Sequence, residues 1–110
     1  MNNLETKHCK VCEGGISSLS IVEIKKQLSA LPGWELDEKL NLIKKLYEFK
    51  GYAKTMAFVN AIAWIATVEG HHPDLEVSFN RCLVKYQTHA IGGITENDLI
   101  CAAKVENLTQ

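Results

Sequence analysis

A chain of 110 residues carrying 12 Lys and Arg against 13 Asp and Glu supports one domain with one core. The near-balanced charge, with no basic block, argues against direct nucleic-acid binding, and the opening MNNLETKHCKVCEGG lacks the apolar run of a secretory signal. The uncharged stretch from Thr55 to Val68 is fourteen residues long, too short to cross a bilayer, so the expectation is a soluble cytoplasmic protein with no membrane partner.

Residues 1–18 read as a flexible leader ahead of a single domain over 19–110. Within it, Cys9 and Cys12 form HCKVC, a C-x-x-C that could be redox-active or half of a zinc site. A structural zinc takes four ligands. His8 would be a third and no fourth is evident, so two reduced thiols in a mobile tail is the expectation. Removal of residues 1–15 is then expected to leave fold and activity nearly unchanged.

Ser20 and Glu23 have the spacing of a capping box, and Ile21, Ile24, Leu28 and Leu31 follow at helical period. LPG at 31–33 ends that helix. Segments 34–37 and 41–49 read as strands joined by a polar turn at DEKL. Ile43, Tyr47 and Phe49 share one parity of the second strand, and Lys45 breaks it.

A helix over 51–69 carries two apolar stripes. One is Tyr52, Met56, Val59, Ala63 and Ala66; the other is Phe58, Ile62, Ile65 and Val68. A surface helix needs only one, so the second stripe predicts cover by another subunit. Gly70 is placed to end the helix. Leu75, Val77 and Phe79 then alternate as a strand, Asn80-Arg81 makes a turn, and Cys82, Val84 and Tyr86 alternate as its hairpin partner. After His89 the IGG triplet breaks the chain. Thr95 opens a last helix to about Leu108, with Leu99, Ala102, Ala103 and Val105 inward. The order α-β-β-α-β-β-α predicts an α+β fold, a four-stranded antiparallel sheet with helices on one face.

The chemistry-bearing stretch is EGHHPDLEV, Glu69 to Val77. Histidine is the side chain whose ordinary pKa lies near neutrality. Two of them at a helix exit could be an active site, half a metal site, or solvated residues favoured by the helix dipole. Pro73 biases His72 toward extended backbone, where successive side chains diverge, so His71 and His72 are not expected to grip one ion from the same side. His89, beside the glycine pair, can return to the same rim. Asp98 has a structural reading, a T-x-x-D capping box with Thr95, and a functional one, a carboxylate that orients an imidazole or a ligand N–H.

His71-His72-Pro73, five residues, Phe79, nine residues, His89, eight residues and Asp98 together resemble the signature of the pterin-4a-carbinolamine dehydratase family. LPGWELDE and the long apolar helix extend the likeness over residues 19–108. The resemblance implies dehydration of 4a-hydroxytetrahydropterin to quinonoid dihydropterin by a homodimer or dimer of dimers. It implies catalytic roles for His71, His72 and His89, pterin contacts from Pro73 and Asp98, and no cofactor or metal. The family often has an acidic residue four positions before the first histidine; here that position is Thr67, and Glu69 is the candidate substitute. Rival readings are a metal-dependent hydrolase on the three histidines and an interaction module. Some animal members of the family serve as dimerisation cofactors of a homeodomain transcription factor, and bacterial members have been linked to phenylalanine hydroxylase.

Overall fold

Ser20 opens the first helix as expected, its hydroxyl accepting the Glu23 N–H while the Glu23 carboxylate accepts the Ser20 N–H, both at 3.2 Å. The computed structural model describes residues 3–10 and 16–109; Cys12 lies outside the described residues. Helix α1 is Ile21–Leu28, β1 is Glu35–Asp37, β2 is Leu42–Glu48 and α2 is Tyr52–Glu69. Strands β3, Asp74–Val77, and β4, Arg81–Tyr86, follow, and α3, Glu96–Asn107, closes the fold. The sheet is antiparallel throughout, in the order β1-β2-β4-β3. The predicted class and element order are therefore those observed.

Alternation decides which face of the sheet is covered. Cys82, Val84 and Tyr86 on β4 and Ile43 and Tyr47 on β2 are buried beneath the helices, and Ile43 pairs with Tyr86 as Tyr47 does with Cys82. Lys45 shares that parity without leaving a charge stranded. Its ammonium donates to Glu106 Oε1 at 2.8 Å and to the Pro32 carbonyl at 2.7 Å. The same Glu106 oxygen takes the Tyr47 hydroxyl at 2.7 Å and the Trp34 indole N–H at 3.3 Å. A buried carboxylate needs such partners, and this one ties β2 to α3.

Two details depart from the expected hairpin. Phe79 is not in β3, because Val77 already pairs with Cys82 and the Ser78 N–H bonds the Arg81 carbonyl at 2.9 Å, closing the turn through Phe79 and Asn80. Phe79 is exposed there and stacks on Tyr52. Arg81, expected in the turn, begins β4.

Of the two stripes on α2, Phe58 and Ile62 are buried against the sheet, with Ile65 packed beside them. Tyr52, Trp64 and Val68 are exposed, Trp64 at 68%. No helix among the described residues is long and apolar enough to cross a membrane.

Helix α3 is buried on nearly all sides, from Asn97 to Ala103 and again at Val105 and Glu106. Part of its cover is residues 3–10, which the sequence reading assigned to a flexible leader. Leu4 is only 3% exposed, within a short 3-10 turn over Leu4–Thr6. Asn97 clasps the segment, accepting the Lys10 N–H at 2.9 Å and donating to the Lys10 carbonyl at 2.7 Å. Lys104 donates to the Glu5 carbonyl at 2.8 Å. The physical reason is that α3 is apolar on more than one side, so the sheet and α2 cannot cover it alone.

Candidate functional site

The site is built at the exit of α2. Gly70 takes the left-handed conformation, φ +65°, which costs glycine little. The chain then turns away from the helix and presents His71 and His72 in succession. Their rings go to different places. His71 is buried, stacked on Tyr86 with ring centroids 5.9 Å apart. His72 is exposed and stacks on His89 at 6.1 Å and 25°.

His89 does not end a strand as expected. β4 stops at Tyr86, and His89 starts a 3-10 turn, His89–Ile91, closed by Gly92 at φ +60°. Thr88 and Gly93 form an isolated bridge across the base of this turn. The turn therefore projects His89 back toward His72, and its Nε2 lies 3.7 Å from Asp74 Oδ2. His71, His72 and His89 together line a concavity of about 180 Å³, with Thr88 and Gln87 in its wall.

Asp98 is fully buried and does both things its sequence position allowed. Its Oδ2 accepts the Thr95 N–H at 2.9 Å, completing the capping box of α3. Its Oδ1 accepts the His71 Nε2–H at 2.6 Å. The Thr88 hydroxyl donates to Oδ2 at 2.8 Å and sits 2.8 Å from the Thr95 hydroxyl. At 0% exposure Asp98 has no surface open to the concavity, and its link to it is the hydrogen bond with His71. A carboxylate bonded to one ring nitrogen fixes the imidazole's orientation and places its remaining proton chemistry on the other nitrogen.

Glu69 does not line the concavity. Its side chain, 3% exposed, faces the N-terminal segment. There it accepts the Cys9 N–H at 2.7 Å and the His8 Nδ1–H at 2.9 Å, with the Lys104 ammonium at 3.6 Å. Burial by itself would raise this carboxyl's pKa; those bonds and charges outweigh it and hold the group below the usual carboxylate range. The expected substitution of Glu69 for an acidic pterin contact is thus not what the geometry gives. Thr67 is exposed and donates to the Ala63 carbonyl. Pro73 also lies outside the lining; a proline biases the residue before it, here His72, toward extended backbone.

Three residues of the site were not singled out from sequence: Tyr86, Thr88 and Gln87. Tyr86 had a signal, since strand parity placed it inward below the histidines. Thr88 and Gln87 had none, because their positions depend on the turn at His89. Among the described residues no group of three or more His, Cys, Asp or Glu is arranged to hold a metal ion.

The family model described as pterin 4 alpha carbinolamine dehydratase matches residues 17–108. A protein of Nitrosospira multiformis named "Putative pterin-4-alpha-carbinolamine dehydratase" is 52% identical over 110 residues, covering all of this chain and 96% of its own length. One of the same name from Legionella pneumophila strain Corby is 51% identical over 108 residues, covering 97% of this chain and 96% of its own. Among solved structures, a transcriptional coactivator/pterin dehydratase from Brucella melitensis superposes with a TM-score of 0.82 at 29% identity, covering 86% of this chain and all of its own. A pterin dehydratase-like protein described as a RuBisCO assembly factor in the alpha-carboxysome superposes with a TM-score of 0.60 at 26% identity, over 69% of this chain and 88% of its own.

Proposed function

The chain belongs to the pterin 4 alpha carbinolamine dehydratase family, and from that membership we propose that it dehydrates 4a-hydroxytetrahydropterin to quinonoid dihydropterin, serving tetrahydropterin recycling. The observation that carries the reading is the meeting of His71, His72 and His89 on one concavity, with His71 anchored from below by Asp98.

The reaction asks for two proton transfers. The hydroxyl on C4a leaves as water once it receives a proton, and N5–H gives one up as the C4a–N5 double bond forms. The N5 lone pair drives the departure, so no electrophile beyond a proton donor is needed. His72 and His89 are the accessible imidazoles, stacked ring on ring at the mouth. They are the pair that exchanges these protons with substrate, one as acid and one as base. His71, at 8% exposure, offers a fixed ring edge that orients the pterin, and Asp98 is its positioning residue.

The direct test is a spectrophotometric assay with a 4a-hydroxytetrahydropterin against the spontaneous rate. Acceleration proportional to protein supports the reading, and a rate equal to the no-protein control overturns it.

A second property belongs with this reading. The exposed Tyr52, Trp64 and Val68 leave α2 with an uncovered apolar face, which supports a homo-oligomer, dimer or tetramer. The Brucella neighbour's description pairs a coactivator with a dehydratase, so an interaction role alongside catalysis is the alternative. It stands alone only if the assay shows no acceleration.

A further inference from the structure

The sulfurs of Cys9 and Cys101 lie 3.5 Å apart, although the two residues are separated by 92 positions in the chain. Cys101 is fully buried on α3, one helical turn after Asp98. Cys9 is half-buried and reaches it from the N-terminal segment. Neither sulfur has a part in the proposed dehydration. Three independent holds bring Cys9 there: its own N–H on Glu69, the Lys10 backbone on Asn97, and the burial of Leu4. The approach of the thiols is therefore a feature of how the segment docks.

We propose that Cys9 and Cys101 are a thiol–disulfide modification site, convertible by a low-molecular-weight disulfide into a covalent lock of the N-terminal segment onto α3. Closing from 3.5 Å to the ~2.05 Å of an S–S bond is a movement that side-chain rotation and the irregular segment can supply.

The chemistry assigns the two sulfurs different parts. Cys9, the accessible one, attacks a sulfur of the small disulfide as its thiolate; that S–S bond breaks and one small thiolate leaves and takes up a proton. Cys101 then loses its proton and attacks Cys9 Sγ. The mixed disulfide breaks and a second small thiol departs. Two protein thiols are oxidised and one small disulfide is reduced to two thiols, so the step balances. The hydrogen bond to Cys9 and burial push the Cys101 thiol's pKa up, in keeping with its acting second, after Cys9 carries the leaving group.

The test uses the full chain incubated with oxidised glutathione, quenched with acid, alkylated under denaturing conditions, and mapped by peptide mass spectrometry. The expected result is a fall in free thiols from the four of the sequence to two, a cross-linked peptide joining Cys9 to Cys101, and its loss on adding dithiothreitol. Cys12→Ser should keep the cross-link, and Cys9→Ser and Cys101→Ala should each abolish it. Cys9→Ser alters a half-buried position, so it serves if Cys101→Ala fails to fold. A Cys9–Cys12 disulfide, a glutathione adduct persisting on Cys9, or four free thiols after oxidation would each overturn the proposal.

Discussion

Asp98 holds His71 through one carboxylate oxygen at 2.6 Å while its other oxygen caps the helix that carries it, at 2.9 Å from the Thr95 N–H. The site and the start of α3 are therefore one unit, and substitution of Asp98 has two separable effects. Asp98→Asn can still accept the Thr95 and Thr88 bonds with its carbonyl oxygen, but its amide now donates toward His71 Nε2. The ring must then take the opposite tautomer. The expected outcome is a protein near wild-type stability whose turnover falls, by less than the ~10²- to 10⁴-fold that removing an acid or base group itself costs. Asp98→Ala also loses the carboxylate half of the capping box while the Thr95 hydroxyl still caps, at a cost of about 1 kcal/mol. Steady-state kinetics beside urea denaturation separates the two; equal stability losses with unchanged turnover in both variants would contradict the positioning role.

The N-terminal segment gives the second prediction. The sequence alone predicts that residues 1–15 are dispensable, but Leu4 is 3% exposed and the segment hydrogen-bonds Glu69 at the end of α2. Leu4→Ala should cost ~2–5 kcal/mol, the range for a buried leucine truncated in a packed site. Deletion of residues 1–10 should lower the melting temperature further, since it strips α3 of part of its cover. A deletion variant with wild-type melting behaviour would show that the docked segment adds nothing to stability.

Acid sensitivity follows from Glu106. Burial raises its pKa, yet the bonds from Lys45, Tyr47 and Trp34 more than offset that, and the folded group titrates below its ordinary value of 4.5. Where a folded-state carboxyl is depressed, the unfolded chain binds the proton first. The stability contribution is thus present above 4.5 and is lost as pH falls through the folded value. Burial and the Glu106 charge keep the Tyr47 phenol protonated and donating. Urea melts between about pH 7 and about pH 3 should show falling stability, and Glu106→Gln should flatten that limb. A limb equally steep in the variant would assign the acid sensitivity to other carboxylates.

Assembly is the fourth. Trp64 at 68% exposure, with Tyr52 and Val68 on the same helix, predicts a stable oligomer by sedimentation velocity at micromolar concentration. Trp64→Glu places a charge on that face and should shift the species toward monomer with the secondary structure intact. A wild-type monomer under those conditions would contradict the reading of α2.

What was legible in the sequence was local. The Ser20–Glu23 and Thr95–Asp98 boxes, the Gly70 stop and the inward Cys82, Val84 and Tyr86 all follow from period and capping chemistry within a few residues. The meeting of the three histidines was legible once their spacing was set against the family signature. Lys45 could not be read, because its partner Glu106 lies 61 positions away. Residues 3–10 could not be read either; their hold comes from side-chain bonds to Glu69 and Asn97, and an irregular segment has no period to announce it. The place of the Glu69 side chain is not legible for the same reason, its partner being a backbone N–H 60 positions earlier.

The central claim is that the stacked His72 and His89 exchange protons with the pterin, and it is tested most directly by the dehydration rates of His72→Ala, His89→Ala and the double variant. All three are measured against a no-enzyme control, with circular dichroism confirming the fold. Both rings are exposed, so the variants should fold and assemble as wild type. Each single change should slow the reaction by up to ~10²- to 10⁴-fold, less where the remaining imidazole covers for its partner. The double variant should fall toward the spontaneous rate with a less than additive loss, since groups that act as a unit are not independent. A folded double variant that dehydrates the pterin at the wild-type rate would contradict the claim and leave the interaction role as the better description of this surface.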